Sequence, residues 1–423
     1  MMAKPAMATE IPASIVTPDT VETRLGTLRF FDGFPDEETV RTVYDNLDFQ
    51  RAVQAYLAGL PAADTWGLRD GYRSFGPDNR TLLITESLMD SRTLYLVANT
   101  ETLYSMAWLD THDGPLVIEM PPDVLGCLND FWSRWVTDVG RAGPDRGAGG
   151  KYLLLPPGHS GEVPDGYFVL RSRTYGNCIF FRGFMHDGDL RPAIESTKQH
   201  YQVYPLSGAP DAMTFVDISG RYMNTIAPGD ASIFDVVAAV VQEEPLDAVD
   251  PETRGLLASI GIRKDAPFAP DARMQAVLAE AAAVGNATAR AILFSTRDRR
   301  FFYYPDRGWK MGYRGDDVDF SPDGVLDLDA RTLYFWLTDQ ISPAMWVEMV
   351  GIGSQYAIAD HDGEGRYLDG GRVYRLHLPP GIPAKDFWSV LVYDPQTRSM
   401  LQTDQRFPSL SSQKQGILLN PDT

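Results

Sequence analysis

The sequence predicts a mainly β protein with a helical insert, of the α+β class. It reads as two β-sandwich or jelly-roll-like modules joined by a small helical subdomain. Three observations predict this. Short β-rich runs broken by turn residues recur roughly every ten residues between Thr81 and Phe184, the spacing of a sandwich or jelly roll rather than of alternating strands and helices. An alanine-rich, helix-favouring stretch follows. And one unit occurs twice: Asp130-Phe131-Trp132-Ser133 returns as Asp386-Phe387-Trp388-Ser389. Each copy follows a Pro-Pro pair that ends a strand-like run, and each has His-Asp-Gly upstream, at His112 and His361.

The division expected is an extended N-terminal segment (1–34), a sandwich with a leading helix (35–228), a helical subdomain (229–297) and a second sandwich (298–423), shortened at its C-terminus. Asp36 caps the leading helix, Glu37 and Glu38 suit its positive end, and Val40, Val43, Tyr44, Leu47, Val53, Tyr56 and Leu57 form its apolar stripe. Gly59 and Pro61 are expected to stop it. Strands are expected at Leu82–Thr85, Thr93–Ala98, Leu103–Leu109, Leu116–Met120, Tyr152–Leu155, Tyr167–Arg171 and Cys178–Phe184, with a helix over Leu190–Tyr204. Ala231–Gln242, Pro251–Ile260 and Asp271–Ser295 read as helices. Strands resume at Arg300–Tyr304, Thr332–Leu337, Met345–Val350, Gln355–Ala359, Val373–Leu378, the second Trp unit and Met400–Thr403.

With 38 basic and 57 acidic residues the net charge is −19, which repels phosphates and anionic lipid headgroups; neither nucleic acid nor a membrane is an expected partner. Cys127 and Cys178 form no zinc spacing and read as buried free thiols. No signal-peptide pattern opens the chain, so a soluble, cytoplasmic, acidic protein is expected. Nucleophile-elbow, P-loop and GxGxxG signatures are absent, and no cofactor is predicted; the metal content is left open.

Each remaining motif has a plain structural reading beside the functional one. The Trp units read as sheet anchors or a stacking platform, and the two His-Asp-Gly sites as turns or metal donors. Arg297, Arg299, Arg300, Arg307, Lys310 and Arg314, interleaved with aromatics, read as ion pairs, an anion pocket, or a single-strand nucleic acid surface. Asp317, Asp319 and Asp323 resemble a calcium loop, but Pro322 stands where glycine is required.

Five motifs carry a family resemblance. They are Val43-Tyr44-Asp45-Asn46-Leu47-Asp48-Phe49 with Ala98-Asn99-Thr100-Glu101-Thr102-Leu103-Tyr104, and Lys385-Asp386-Phe387-Trp388-Ser389 with Val392-Tyr393-Asp394 and Ser399-Met400-Leu401-Gln402-Thr403-Asp404. From about Thr17 onward the chain resembles a two-part bacterial family, catalogued as domains of unknown function 1254 in the first half and 1214 in the second. The resemblance implies two β-sandwich modules with helices between them, and no settled activity. Relatives often begin with an export signal and continue past the Asn420 region with further strand-forming sequence. The second sandwich is therefore expected to lack its last strands, leaving an edge that recruits another subunit into a homo-oligomer.

For function the residues support an enzyme acting on a small molecule, most simply a hydrolase, in a pocket between sandwich and helices. Glu101 is its candidate general base and Tyr104 its hydroxyl donor; Asn99 and Thr102 orient a polar group, and Arg297 and Arg300 hold an anion. The alternatives are a turn formed by Asn99 and Thr100 before a strand and a non-catalytic binding or assembly module.

Overall fold

The computed structural model describes residues 7–312, 317–414 and 416–417. The chain opens with a three-stranded antiparallel arm, β1 (Thr20–Thr23), β2 (Gly26–Phe31) and β3 (Phe34–Pro35), where only an extended segment was expected. Asp36 then caps α1 (Glu37–Arg73) by accepting from the Thr39 N–H. The helix runs straight past Gly59 and Pro61. A mid-helix proline costs about 3 kcal/mol. Against that, Leu60 to Thr65 and then Gly67, Leu68, Arg69, Gly71 and Tyr72 are all buried, so tertiary burial overrides the stop signal.

The β-layers follow: β4 (Thr81–Ile84), β5 (Thr93–Leu94), β6 (Leu103–Asp110), β7 (Leu116–Met120), β8 (Val124–Asp130), β9 (Trp135–Gly140), β10 (Gly150–Leu155), β11 (Phe168–Arg171) and β12 (Gly176–Gly183). After α2 (Arg191–His200), the end of the expected helix becomes β13 (Gln202–Pro205), with β14 (Thr214–Asp217) and β15 (Met223–Asn224) beyond. They form a six-stranded mixed sheet ordered β14-β4-β6-β12-β8-β9 and a four-stranded one ordered β11-β10-β7-β13.

Period-two alternation sets the layering. Leu82, Ile84, Leu103, Ala107, Leu109, Leu128, Ile179 and Phe181 of the six-stranded sheet share one apolar cluster with Leu116, Ile118, Tyr152, Leu154 and Leu170 of the four-stranded sheet. Leu83, Met106, Trp108, Cys178 and Phe180 point the other way, into a second cluster with the helices. The central sheet is thus covered on both faces, which is why all eight residues of β12 are buried.

Three helices occur close to where they were expected: α3 (Ser232–Glu243), α4 (Pro251–Ser259) and α5 (Ala272–Phe294). They pack on α1 and share its apolar cluster. By length and composition α5 would suffice to cross a membrane. Here it packs against α1 and against α6 (Leu328–Leu337).

The second half departs from expectation. Thr332–Leu337, read as a strand, belongs to α6, whose N-terminus is capped by Asp327 accepting from Ala330 N–H; Met345–Val350 gives way to α7 (Pro343–Trp346) and irregular backbone. Arg300–Tyr304 carries a short 3-10 turn. The class is α+β, with mixed sheets and helices, but the expected second sandwich has no counterpart among the described residues. Beyond α7 the chain contributes one antiparallel pair, β16 (Ser389–Leu391) with β17 (Ser409–Ser411). The physical reason is pairing: strand-forming composition makes a sheet only where neighbouring strands meet it.

The two Trp units therefore differ. In the first, Asp130 ends β8 and its carboxylate accepts from the N–H groups of Trp132 and Arg134, closing a hairpin turn into β9 with Ser133 at φ 53°. Phe131 and Trp132 are buried in the helix-facing cluster. In the second, Phe387 and Trp388 are half-buried beside β16. Trp132→Ala is expected to cost about 3–5 kcal/mol. Trp388→Ala, at a half-buried position, should cost less than about 2 kcal/mol. Chemical denaturation of both variants checks the order.

Candidate functional site

The six residues put forward from sequence fall on two separate elements. Asn99, Glu101, Thr102 and Tyr104 form a single turn leading into β6. Asn99 Oδ1 accepts from Glu101 N (2.9 Å), Thr102 N (3.2 Å) and Thr102 Oγ1 (3.0 Å), the local turn read as the alternative. The Tyr104 hydroxyl accepts from Asn99 N (2.9 Å), and burial pushes it up to about 12. Arg297 and Arg300 are solvent-facing, each beside an aspartate: Arg300 on Asp298 (2.7 Å) and Arg297 near Asp329 (3.9 Å). Neither reaches the turn.

The turn does something else: it docks the far end of the chain. Glu101 is buried, and its carboxylate accepts from Thr100 Oγ1 (2.6 Å) and Ser411 Oγ (2.5 Å), while Thr100 meets Ser409 (2.7 Å). Tyr393 donates to Ala98 O (2.8 Å), Val97 N to Arg398 O (3.0 Å), and Ser399 Oγ lies 3.3 Å from both Tyr95 N and Thr93 O. Gln402 donates to Ser91 O, and Arg406 reaches Asp90 and Ser87 O. Residues 87–104 are thus the seat, and residues 393–413 the part seated on it.

Beneath this seam lies a buried polar cluster that the sequence reading missed. Asp64, in the C-terminal half of α1, is 2% exposed, and Asp339, just past α6, is 3% exposed. Each has an Oδ2 with no hydrogen-bond partner. Burial holds Asp64 well above the ordinary carboxylate range; the Arg398 guanidinium opposes this and Asp339 reinforces it. Burial pushes Asp339 up to about 7, against backbone N–H groups of Asp339 and Gln340 that favour its charged form. Arg398 is depressed by burial and offset chiefly by Asp64, yet the two form no ion pair, and Arg398 Nε also lacks a partner. An unsatisfied guanidinium Nε, on an arginine whose Nη1 donates to Gln396 O, and two unpaired carboxyl oxygens are thus electrostatically coupled inside the fold.

Hydroxyl and thiol groups surround them. Tyr72 and Tyr95 hydroxyls are 3.3 Å apart, Cys178 Sγ lies 4.0 Å from Tyr72, and Gln340 Nε2 donates to that sulfur (3.0 Å). Burial raises the pKa of all three titratable groups, so they are neutral donors. Ser133 of the first Trp unit positions the two acids' segments: its hydroxyl lies 3.0 Å from the carbonyls of Pro61 and of Asp339, and 2.5 Å from Thr65 Oγ1.

Toward the surface the cluster continues through Arg398 and Arg290, both stacked over Trp336, to an open groove of about 580 Å³ lined by Gly229, Ser232, Ala283, Asn286 and Arg290. Tyr56, which donates to Gly229 O, lies behind the groove and feels the Asp64 charge.

The other candidates resolve into structure. Lys310 is buried with Nζ donating to Leu293 O and Asp360, and Arg299 stacks over Phe302; Arg314 lies outside the described residues. Both His-Asp-Gly segments lie in turns. Both cysteines are buried free thiols. Asp317 accepts from Asp319 N and Ser321 N, and no group of three metal-donor side chains occurs among the described residues.

Comparison with known proteins gives families without an assigned activity. Residues 79–205 match the family described as "Protein of unknown function (DUF1254)", and residues 353–423 the one described as "Protein of unknown function (DUF1214)". No curated protein matches. A solved structure, the VPA0106 protein from Vibrio parahaemolyticus, is similar at 18% identity and TM-score 0.49, covering 86% of this chain and 84% of its own.

The buried acids dictate the pH response. Asp64 and Asp339, together with buried Glu244 (raised to about 7), bind protons more tightly folded than unfolded. Their contribution is most favourable below the unfolded carboxylate pKa and is lost as pH rises toward the folded values. The melting temperature should fall between about pH 5 and pH 8. Asp339→Asn should flatten that slope, as read by calorimetry.

Proposed function

We propose that this chain, which joins a DUF1254 region to a DUF1214 region, is an enzyme acting on a small polar molecule at the seam between them, with Asp64 and Asp339 as its acid–base pair. One observation carries the reading: two fully buried carboxyl groups each keep an oxygen without a partner, beside an arginine whose Nε is equally unsatisfied. An unpaired buried polar group costs on the order of 1–3 kcal/mol, and more when charged. Such groups mark a site where stability is given up for chemistry.

The roles follow from environment. Two buried carboxyls that feel one another resist carrying two negative charges, so one stays protonated and donates while the other is ionised and accepts. Hydrolysis is the simplest reaction for such a pair. The ionised carboxylate takes a proton from the attacking water as its oxygen bonds to the substrate's carbonyl carbon, and the protonated one gives its proton to the departing oxygen or nitrogen. Tyr72 and Tyr95 supply neutral donors to the carbonyl oxygen. The second sandwich and the duplication expected from sequence enter this reading only as ancestry; the site uses the seam itself.

The competing reading is a non-catalytic module in which the acids are structural residue. Asp64→Asn and Asp339→Asn separate the two. Thermal-shift profiles of each variant and the parent are compared against a panel of small anionic and esterified molecules, with product release followed by NMR. The enzyme reading expects variants at least as stable as the parent at pH 8, but with ligand response and turnover abolished. Variants that lose stability and respond to the panel as the parent does would place the acids in the scaffold.

A further inference from the structure

Arg182 is a cation that the fold buries without giving it an acid. It stands on β12, opposite Tyr104 of β6 and Leu125 of β8, and is 7% exposed. Among the described residues its Nη2 donates to the Ser354 hydroxyl (3.2 Å), a neutral partner, its Nε has no partner, and no carboxylate pairs with it. Asp138, next to Cys127 across the β8–β9 pair, is engaged elsewhere: it accepts from Trp135 Nε1 (3.2 Å), the Ser342 hydroxyl and the Ala344 N–H. A buried lysine or carboxyl group can shed its charge by losing or gaining a proton. A guanidinium cannot, because it stays protonated at any pH at which a protein is folded. A buried charge of that kind calls for a counter-charge.

A cavity of about 10 Å³ adjoins Arg182, between the six-stranded sheet and the start of α7. Leu125, Cys127 and Phe180 line it from the sheet with Arg182, and Ser342 and Met345 line it from the other side. None of the residues lining it is acidic. The Cys127 thiol donates to Asn129 Oδ1 (3.4 Å), so it adds no negative charge. The volume suits one water-sized species and no polyatomic ligand.

We propose that this cavity binds a monatomic anion, chloride or bromide, as the counter-charge of Arg182. Carboxylates and phosphates are excluded by size, and a cation by the guanidinium. Arg182 already reaches Ser354 from β12, so the anion secures the contact between the sheet and residues 342–354.

The test follows the melting temperature of the full chain in sodium bromide at constant ionic strength, with gluconate, too large for the cavity, as the balancing anion. The parent should gain about 2 °C for each tenfold increase in bromide once the site begins to fill. Arg182→Met should lose that gain. Crystals of the parent soaked in bromide give a second reading that needs no variant: an anomalous-scattering peak in the cavity, within hydrogen-bond reach of Arg182. A parent indifferent to bromide, a variant that gains as the parent does, or a cavity that holds water alone would overturn the proposal. Neither Asp64 nor Asp339 lines this cavity, so the outcome is independent of the proposed activity.

Discussion

Everything in this molecule leans on one long helix. The sheet's inner face and α3, α4, α5 and α6 all pack on α1, whose second half is buried on nearly every side. That demands close approach. A Cβ at Gly67 would stand 2.3 Å from the Thr225 carbonyl, so only glycine lets the β15 strand lie against the helix there. It also takes any polar side chain on that stretch out of bulk solvent. Asp64 sits in the middle of it, and its carboxyl must be neutralised by a proton or by a partner delivered from elsewhere in the fold.

That constraint explains why the family motifs lie where they do. Asn99–Tyr104 in the first region and Tyr393, Ser399 and Gln402 in the second were singled out separately, yet they are two halves of one seam. Glu101 with its buried carboxylate is a clasp for Ser411, satisfied on both oxygens, in contrast to Asp64 and Asp339. The first Trp unit belongs to the same system. Ser133 holds Pro61 to the Asp339 loop, and Asn129 donates to Ile341 O (2.8 Å), so the hairpin turn read as a sheet anchor sets the spacing of the acid pair.

The first half was legible because local signals and packing agree there. Period-two runs became strands, Asp36 capped α1 as expected, and alanine-rich stretches became α3 to α5, with Asp250 and Asp271 capping the last two. The second half was not, because composition and partners disagree. Thr-Leu-Tyr-Phe-Trp-Leu is β-favouring, yet it lies between layers that bury it all round, where a capped helix satisfies its backbone by itself. Val373–Leu378 kept its strand composition without a paired strand among the described residues. The site was hidden by one wrong stop. Continuing the helix past Pro61 yields the stripe Tyr56, Leu60, Asp64, Leu68, Tyr72, every fourth residue apolar except one acid. That acid on a core face is a signal readable from sequence. Asp339 carries none; only folding brings it beside Asp64.

The charge arrangement ties the site to assembly of the chain itself. Asp64 precedes the first family region, Asp339 lies between the two, and Arg398, the cation that opposes the rise in Asp64, belongs to the second. Arg398 is held by its own backbone carbonyl on Val97 and by its stacking over Trp336, at φ 59°, a left-handed conformation that a non-glycine residue adopts at a cost. Docking residues 393–413 on the seat is therefore what brings a positive charge to Asp64. With the segment lifted, Asp64 loses the cation that opposes its rise, and burial alone sets its protonation. The seam is what brings Asp64, Asp339 and Arg398 together, and neither matched region contains all three.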